Sequence, residues 1–162
     1  MKIRKATAED AQTLLELISS LAVYEKLSHT MVATAADILK YGFGENPVFH
    51  SVIAESESGE ALGFALYFFK FSTFAGRPTL HLEDLYVREA HRSRGIGKAL
   101  LLYLVEEAWQ SDCGRMEWDV LDWNTPAITF YETLGAKRLS DWFTYRLDRD
   151  TLGQLSHSRR NR

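Results

Sequence analysis

Strand and helix patterns alternate along this 162-residue chain in an order that predicts an α/β (α+β) fold, with a central mixed sheet and helices on both faces. Three observations predict it. Short apolar runs bounded by turn residues recur at 48–55, 61–71 and 79–87, the pattern of strands. Apolar residues three and four apart form a helical stripe at Leu14, Leu17, Ile18, Leu21 and Ala22. Capping residues and glycines punctuate the chain where one pattern gives way to the next.

Residues 2–6 read as a short strand. Thr7 and Asp10 have capping-box spacing and start a first helix that runs to about Tyr24 and Glu25. Thr34 suits the cap of a second, shorter helix ending before Gly42. The strand at 48–55, the turn "SESGE" and the run "ALGFALYFFKF" make a hairpin, and "TLHLEDLYV" comes next as a further strand. A long helix is expected from Ile96 to Cys113, with Gly114 to stop it. "RMEWDVLDWN" reads as a strand with Met116, Trp118 and Val120 on one face and Glu117, Asp119 and Leu121 on the other. Thr125 caps a last short helix, Pro126 suits its first turn and Gly135 ends it. "AKRLSDWFTYRLD" supplies one or two closing strands. The order is βααβββαβαβ(β), which amounts to six or seven strands and four helices. Residues 1–150 are expected to form a single domain, and 151–162 a flexible polar tail.

Hydrophobic residues make up 46% of the chain and charged residues 25%, an ordinary soluble composition without a membrane-length apolar run. The acidic turn in MKIRKATAED is unlike a signal peptide, and the single cysteine, Cys113, agrees with a reducing compartment. A cytoplasmic location is therefore expected. A net charge of -3 argues against a nucleic-acid binder. The five histidines show no metal-ligand spacing, and no metal is expected.

Two stretches carry chemistry. In Arg92-Ser93-Arg94-Gly95-Ile96-Gly97 the glycines lie between a strand and a helix. The first N–H groups of a helix lack internal partners, and glycines let an anion approach them. Arg92, Arg94 and Lys98 could add positive charge. The loop lacks the lysine-serine ending of a nucleoside-triphosphate loop and the third glycine of a dinucleotide loop. Taken alone, it is equally a tight turn with surface arginines. The second stretch is Glu83-Asp84, two acids inside an apolar strand, one for each face. A buried carboxylate needs a cation, a helix N-terminus or water, whereas an edge strand would leave both solvated.

The segments "LAVYEKLS", "GFGENPVFH", "HLEDLYV", "RGIG", "VLDWN" and "FYETLGA", in that order over about residues 3–147, resemble the GNAT superfamily of N-acetyltransferases. Within it they are most similar to the diamine (spermidine/spermine) and thialysine acetyltransferase branch. The resemblance implies the GNAT fold, a mixed and mostly antiparallel sheet. It also implies acetyl-coenzyme A as co-substrate, a small-molecule amine as acceptor and a homodimer. The family's R/Q-x-x-G-x-G/A motif matches Arg92, Gly95 and Gly97. Backbone groups of Leu85, Tyr86 and Val87 would pair with the pantetheine arm. Ser93, Arg94, Gly95, Ile96, Gly97 and Lys98 would wrap the pyrophosphate. Asn124 matches a cofactor-contacting asparagine, and Tyr131 the tyrosine that protonates the leaving thiolate. Read from the residues, Tyr131 is also compatible with a core stripe shared with Ile128 and Leu134. Glu83 matches a glutamate that contacts the amine and serves as base, directly or through water, with Asp84 as a weaker alternative. Tyr24, Glu25, Glu117, Trp118 and Asp119 match acceptor-lining positions, although Glu25 and Glu117 also read as solvated surface charges.

An amine acceptor must lose a proton before it attacks, because an alkylammonium has a pKa of about 10.4. The departing thiolate is helped by gaining one. The expected activity is thus direct transfer of acetyl to the primary amine of a thialysine-like amino acid, a diamine or a polyamine. A protein-lysine acetyltransferase and a non-catalytic acetyl-coenzyme A-binding module are the alternatives. Polyamine-preferring members carry an acid and a tryptophan in the loop where this chain has Ser72 and Phe74. A shorter amine fits that difference better.

Overall fold

Thr7 opens the first helical segment as its spacing predicts: its N–H donates to Asp10 Oδ2 at 2.8 Å. A short 3-10 turn at Ala8–Asp10 leads into helix α1, Ala11–Tyr24. In the computed structural model, which describes residues 1–160, Arg4 closes this corner. Its Nη1 and Nη2 donate to the two Asp10 carboxylate oxygens at 2.7 and 2.8 Å. Thr34 caps helix α2, Ala35–Phe43, accepting from the Asp37 N–H while its own N–H donates to Asp37 Oδ2. This helix runs one residue past Gly42, and Gly44 takes the C-cap.

The strands are β1 (Lys2–Lys5), β2 (His50–Glu55), β3 (Ala61–Ser72), β4 (Arg77–Val87) and β5 (Arg115–Trp118). They form one sheet in the order β1-β2-β3-β4-β5, antiparallel except for the parallel β4–β5 pair. Helix α3, Ile96–Gln110, makes the crossover between those two strands, as a parallel connection requires. Leu14, Leu17 and Leu21 of α1 pack with Ile53, Phe64, Leu66 and Tyr86. Ala65 and Tyr67, the alternate residues of β3, are buried as well. Leu100 and Leu104 of α3, which packs on β2, β3 and β4, are fully buried. Each such leucine contributes about 1.5–3 kcal/mol by leaving water. A first compact unit spans Met1–Asp119.

The second unit begins at Val120 and holds helices α4, Thr125–Thr133, and α5, Arg149–Arg160. Asn124, not Thr125, is the N-cap of α4, accepting from the Ala127 N–H at 3.4 Å. Thr125 is instead the first helical residue, and Pro126 sits beside it, where its missing N–H has no cost. Helix α5 occupies most of the segment expected as a tail, with Asp148 accepting from the Thr151 N–H at 2.8 Å.

Among the described residues the sheet has five strands rather than six or seven. The strand expected over 115–124 stops at Trp118, and 136–148 holds no strand. Residues 136–148 keep an alternating pattern, yet Phe143 and Tyr145 stand exposed. Alternation makes a strand only where a neighbouring strand supplies hydrogen bonds. Among the described residues no helix is long and apolar enough to cross a membrane.

Candidate functional site

Strand β4 is central as far as Leu82, with β3 on one side and β5 on the other. There it changes character. Leu82 pairs with Trp118, the last residue of β5, so the β5 side of residues 83–87 has no partner strand. On the β3 side the register jumps from Leu66 opposite Asp84 to Tyr67 opposite Leu82, which leaves Glu83 as the extra residue of a β-bulge. The bulge breaks the simple alternation expected for the two acids.

Glu83 is exposed, its side chain 56% accessible, with Oε2 3.8 Å from His81 Nε2. Asp84 is half-buried. Burial, then the neighbouring charges of Glu83 and Glu25, push its carboxyl from 3.8 up to about 7. Glu25, the C-cap of α1, is half-buried too, and burial pushes its carboxyl up. The carboxylates of Glu25 and Glu83 thus lie close enough to act on that of Asp84. Asp84 carries a shift that two adjacent acids in a sequence do not reveal.

Past the bulge Leu85, Tyr86 and Val87 pair with Ala65, Phe64 and Gly63. A Cβ at Gly63 would collide with the Tyr86 carbonyl oxygen, so only glycine lets β3 lie this close beneath the end of β4. Gly63 is absent from the expected site residues, although an isolated glycine inside an apolar strand is a sign of close backbone approach. Arg88 is absent from them too; its Nε donates to the Ala61 carbonyl at 2.8 Å and ties the same strand end down.

The loop from Arg92 to Lys98 turns through two left-handed residues, Ser93 at φ +60° and Gly95 at φ +79°. Gly95 is the N-cap of α3. The first intrahelical acceptor is its carbonyl, taken by the Ala99 N–H at 2.9 Å. Among the described residues no backbone bond uses the amides of Ser93 through Lys98. A Cβ at Gly97 would meet only Val87 Cγ2, at 3.7 Å, so the protein itself leaves that approach open. Free amides, the positive end of α3 and the exposed Arg94 and Lys98 fit a pyrophosphate. Arg92 is held differently. Its Nε donates to the Val87 carbonyl at 3.0 Å, and its guanidinium lies over the rings of Tyr24 and Tyr86.

The structure therefore brings Tyr24, Tyr86, Val87 and Arg92 together, and likewise Glu25, Glu83 and Asp84. Glu117 is drawn elsewhere, to Lys70 Nζ and Arg115 Nε, each at 2.6 Å. The hydrogen bond from Lys70 holds its carboxyl below the ordinary range. Trp118 is half-buried and Asp119 exposed at the end of the first unit. In the second unit Asn124 is buried at the start of α4. Tyr131 is half-buried on the same helix, its ring 5.2 Å from that of Phe130. No residue of α4 is fully buried. Among the described residues no group of three His, Cys, Asp or Glu is arranged to hold a metal.

The family model of the acetyltransferase (GNAT) family matches residues 11–136. Thialysine N-epsilon-acetyltransferase of Mus musculus is 34% identical over 96% of this chain and 96% of its own. Spermidine/spermine N(1)-acetyltransferase-like protein 1 of Homo sapiens is 39% identical over 93% of this chain and 23% of its own. Among solved structures, an integron cassette protein from the mobile metagenome of V. cholerae superposes with a TM-score of 0.80 at 24% identity, covering 96% of each chain. That last likeness concerns the fold.

Proposed function

Because this chain belongs to the acetyltransferase (GNAT) family and is an acetyl-coenzyme A-dependent N-acetyltransferase, we propose that it acetylates the primary amine of a small molecule by direct transfer. The observation that carries the acceptor class is the gathering of Glu25, Glu83 and Asp84 at the β4 bulge, an anionic recess suited to an alkylammonium. Acetyl-coenzyme A, when bound, supplies the activated acetyl thioester. The backbone edge of Leu85, Tyr86 and Val87 holds its pantetheine arm as an added strand would be held. The amides from Ser93 to Lys98 hold its pyrophosphate. Asn124 adds a contact to it.

Glu83 accepts the proton of the ammonium, directly or through water, and its solvent exposure gives that proton a way out. Tyr131 donates a proton to the departing sulfur. Trp118, Asp119 and Glu117 belong to the acceptor lining carried over from the branch resemblance. Residues 1–150 work as one catalytic domain within this reading. The same resemblance supports a homodimer, and the lone Cys113 agrees with a cytoplasmic setting.

The acceptor is a thialysine-like amino acid or a short diamine ahead of a long polyamine. Ser72 is buried, and its hydroxyl accepts from the Ala75 N–H at 3.2 Å. Phe74 stands 97% exposed. That turn thus presents no carboxylate to a second or third ammonium. Thiol release from acetyl-coenzyme A with thialysine, lysine, putrescine, spermidine and spermine ranks the acceptors. With the best of them, Glu83→Gln and Tyr131→Phe are each expected to lower kcat/KM by about 10²- to 10⁴-fold. Wild-type kcat/KM in both variants over about pH 6 to 10 would sink the assigned mechanism.

A further inference from the structure

We propose that Tyr24 is a positioning residue for the donor loop: its ring, with that of Tyr86, seats the Arg92 guanidinium and fastens the end of α1 to the turn that enters the glycine loop. The inference rests on the reading of 93–98 as the pyrophosphate cradle, and it moves Tyr24 from the acceptor lining to the donor side. Arg92 Cζ lies 4.4 Å from the centroid of the Tyr24 ring and 5.5 Å from that of Tyr86, both within the reach of a cation–π contact. The bond from Nε to the Val87 carbonyl, 3.0 Å long, fixes the guanidinium plane at a third point. Arginine is suited to this work, because its flat, weakly hydrated head stacks on rings while its donors stay in use.

The seat matters because the next residue of the chain is strained. Ser93 adopts φ +60°, a conformation that residues with a Cβ rarely take. Gly95, at φ +79°, completes the turn. A left-handed serine persists only where its neighbours hold it. On one side Arg92 does so, with its backbone N–H on the Glu89 carbonyl at 3.2 Å and its side chain between two tyrosines. The amides from Ser93 to Lys98 converge on one anion only while that turn is kept. Tyr24 also stands next to Glu25, whose charge acts on Asp84 in the acceptor recess. One helix end therefore braces the donor loop with residue 24 and faces the acceptor with residue 25.

The test separates the two Michaelis constants. Tyr24→Leu should raise the KM for acetyl-coenzyme A by roughly three- to thirtyfold, the span of a partly desolvated cation–π contact, with the KM for the amine within about twofold of wild type. Tyr24→Phe keeps the ring and should retain both constants. Arg92→Lys should raise the same constant, and the double variant Tyr24→Leu/Arg92→Lys should be no worse than Arg92→Lys alone. Thermal melts check folding; if Tyr24→Leu does not fold, Tyr24→Met, a longer and more adaptable apolar side chain without the ring, takes its place. An unchanged acetyl-coenzyme A KM, an effect confined to the amine KM, or additive effects in the double variant would overturn the clamp. Calorimetry with acetyl-coenzyme A keeps this failure distinct from that of the underlying reading. A wild type that does not bind it sinks both, whereas tight binding to wild type and Tyr24→Leu alike sinks the clamp alone.

Discussion

Asp84→Asn should stabilise this protein, and by an amount that grows with pH. Asp84 is half-buried beside Glu83 and Glu25, and its carboxyl rises from 3.8 to about 7. In the folded chain it therefore holds its proton over a range where the unfolded chain has lost it. The folded state binds more protons between those two values, so stability falls as pH rises through that window and levels off above about 7. The full rise, at about 1.4 kcal/mol per tenfold, corresponds to a ceiling of about 4 kcal/mol. Asp84 keeps some solvent contact, which brings the expected penalty to about 2 kcal/mol. Asparagine is nearly the same size and carries no charge to desolvate. Urea unfolding of both proteins should show Asp84→Asn ahead by about 2 kcal/mol near pH 8.5 and by a fraction of that near pH 5. The same variant should acetylate cationic amines more slowly, since the anion that attracts them is gone. A stability difference that does not change with pH, or a variant less stable at high pH, would refute the account of Asp84 as a charge held in the recess at the expense of the fold.

The opposite sign is expected at the other end of α1. Arg4 holds the Asp10 carboxyl down to about 2, so Asp10 contributes stability above its ordinary 3.8 that is lost as pH falls toward 2. Asp10→Asn should cost about 2 kcal/mol at neutral pH and almost nothing near pH 2, measured by denaturant titration at both. Thr79 lies fully buried in β4, and its Oγ1 has no hydrogen-bond partner among the described residues. Thr79→Val replaces that hydroxyl with a methyl of similar size and should raise stability by about 1 kcal/mol, visible as a higher Tm.

The elements that were legible are those set by local chemistry. Thr34 and Asp37 cap α2 with groups three residues apart, and the apolar stripe of α1 recurs every third or fourth residue. Neither needs a distant partner to be recognised. The same holds for Gly95, whose φ of +79° is a property of one residue in one turn. The misread strands all depend on a second strand. "RMEWDVLDWN" has alternation to spare, but only Arg115–Trp118 finds partners in β4. The run around Phe143 and Tyr145 alternates as well and joins no sheet among the described residues. The cap of α4 falls at Asn124, one residue before the expected Thr125, because Asn and Thr are both good caps and stand side by side.

The amino-acid sequence alone determined the glycine loop at 92–97, the acidic pair at 83–84 and the resemblance to one branch of acetyltransferases. Those are patterns of residue type and spacing. Only the tertiary structure decided that Glu83 is the bulged residue, that burial pushes the Asp84 carboxyl up, and that Tyr24 meets Arg92 from a helix end far earlier in the chain. Register, burial and cation–π contacts are relations between segments far apart in sequence. They come into being when the sheet and α1 pack, and no local pattern encodes them.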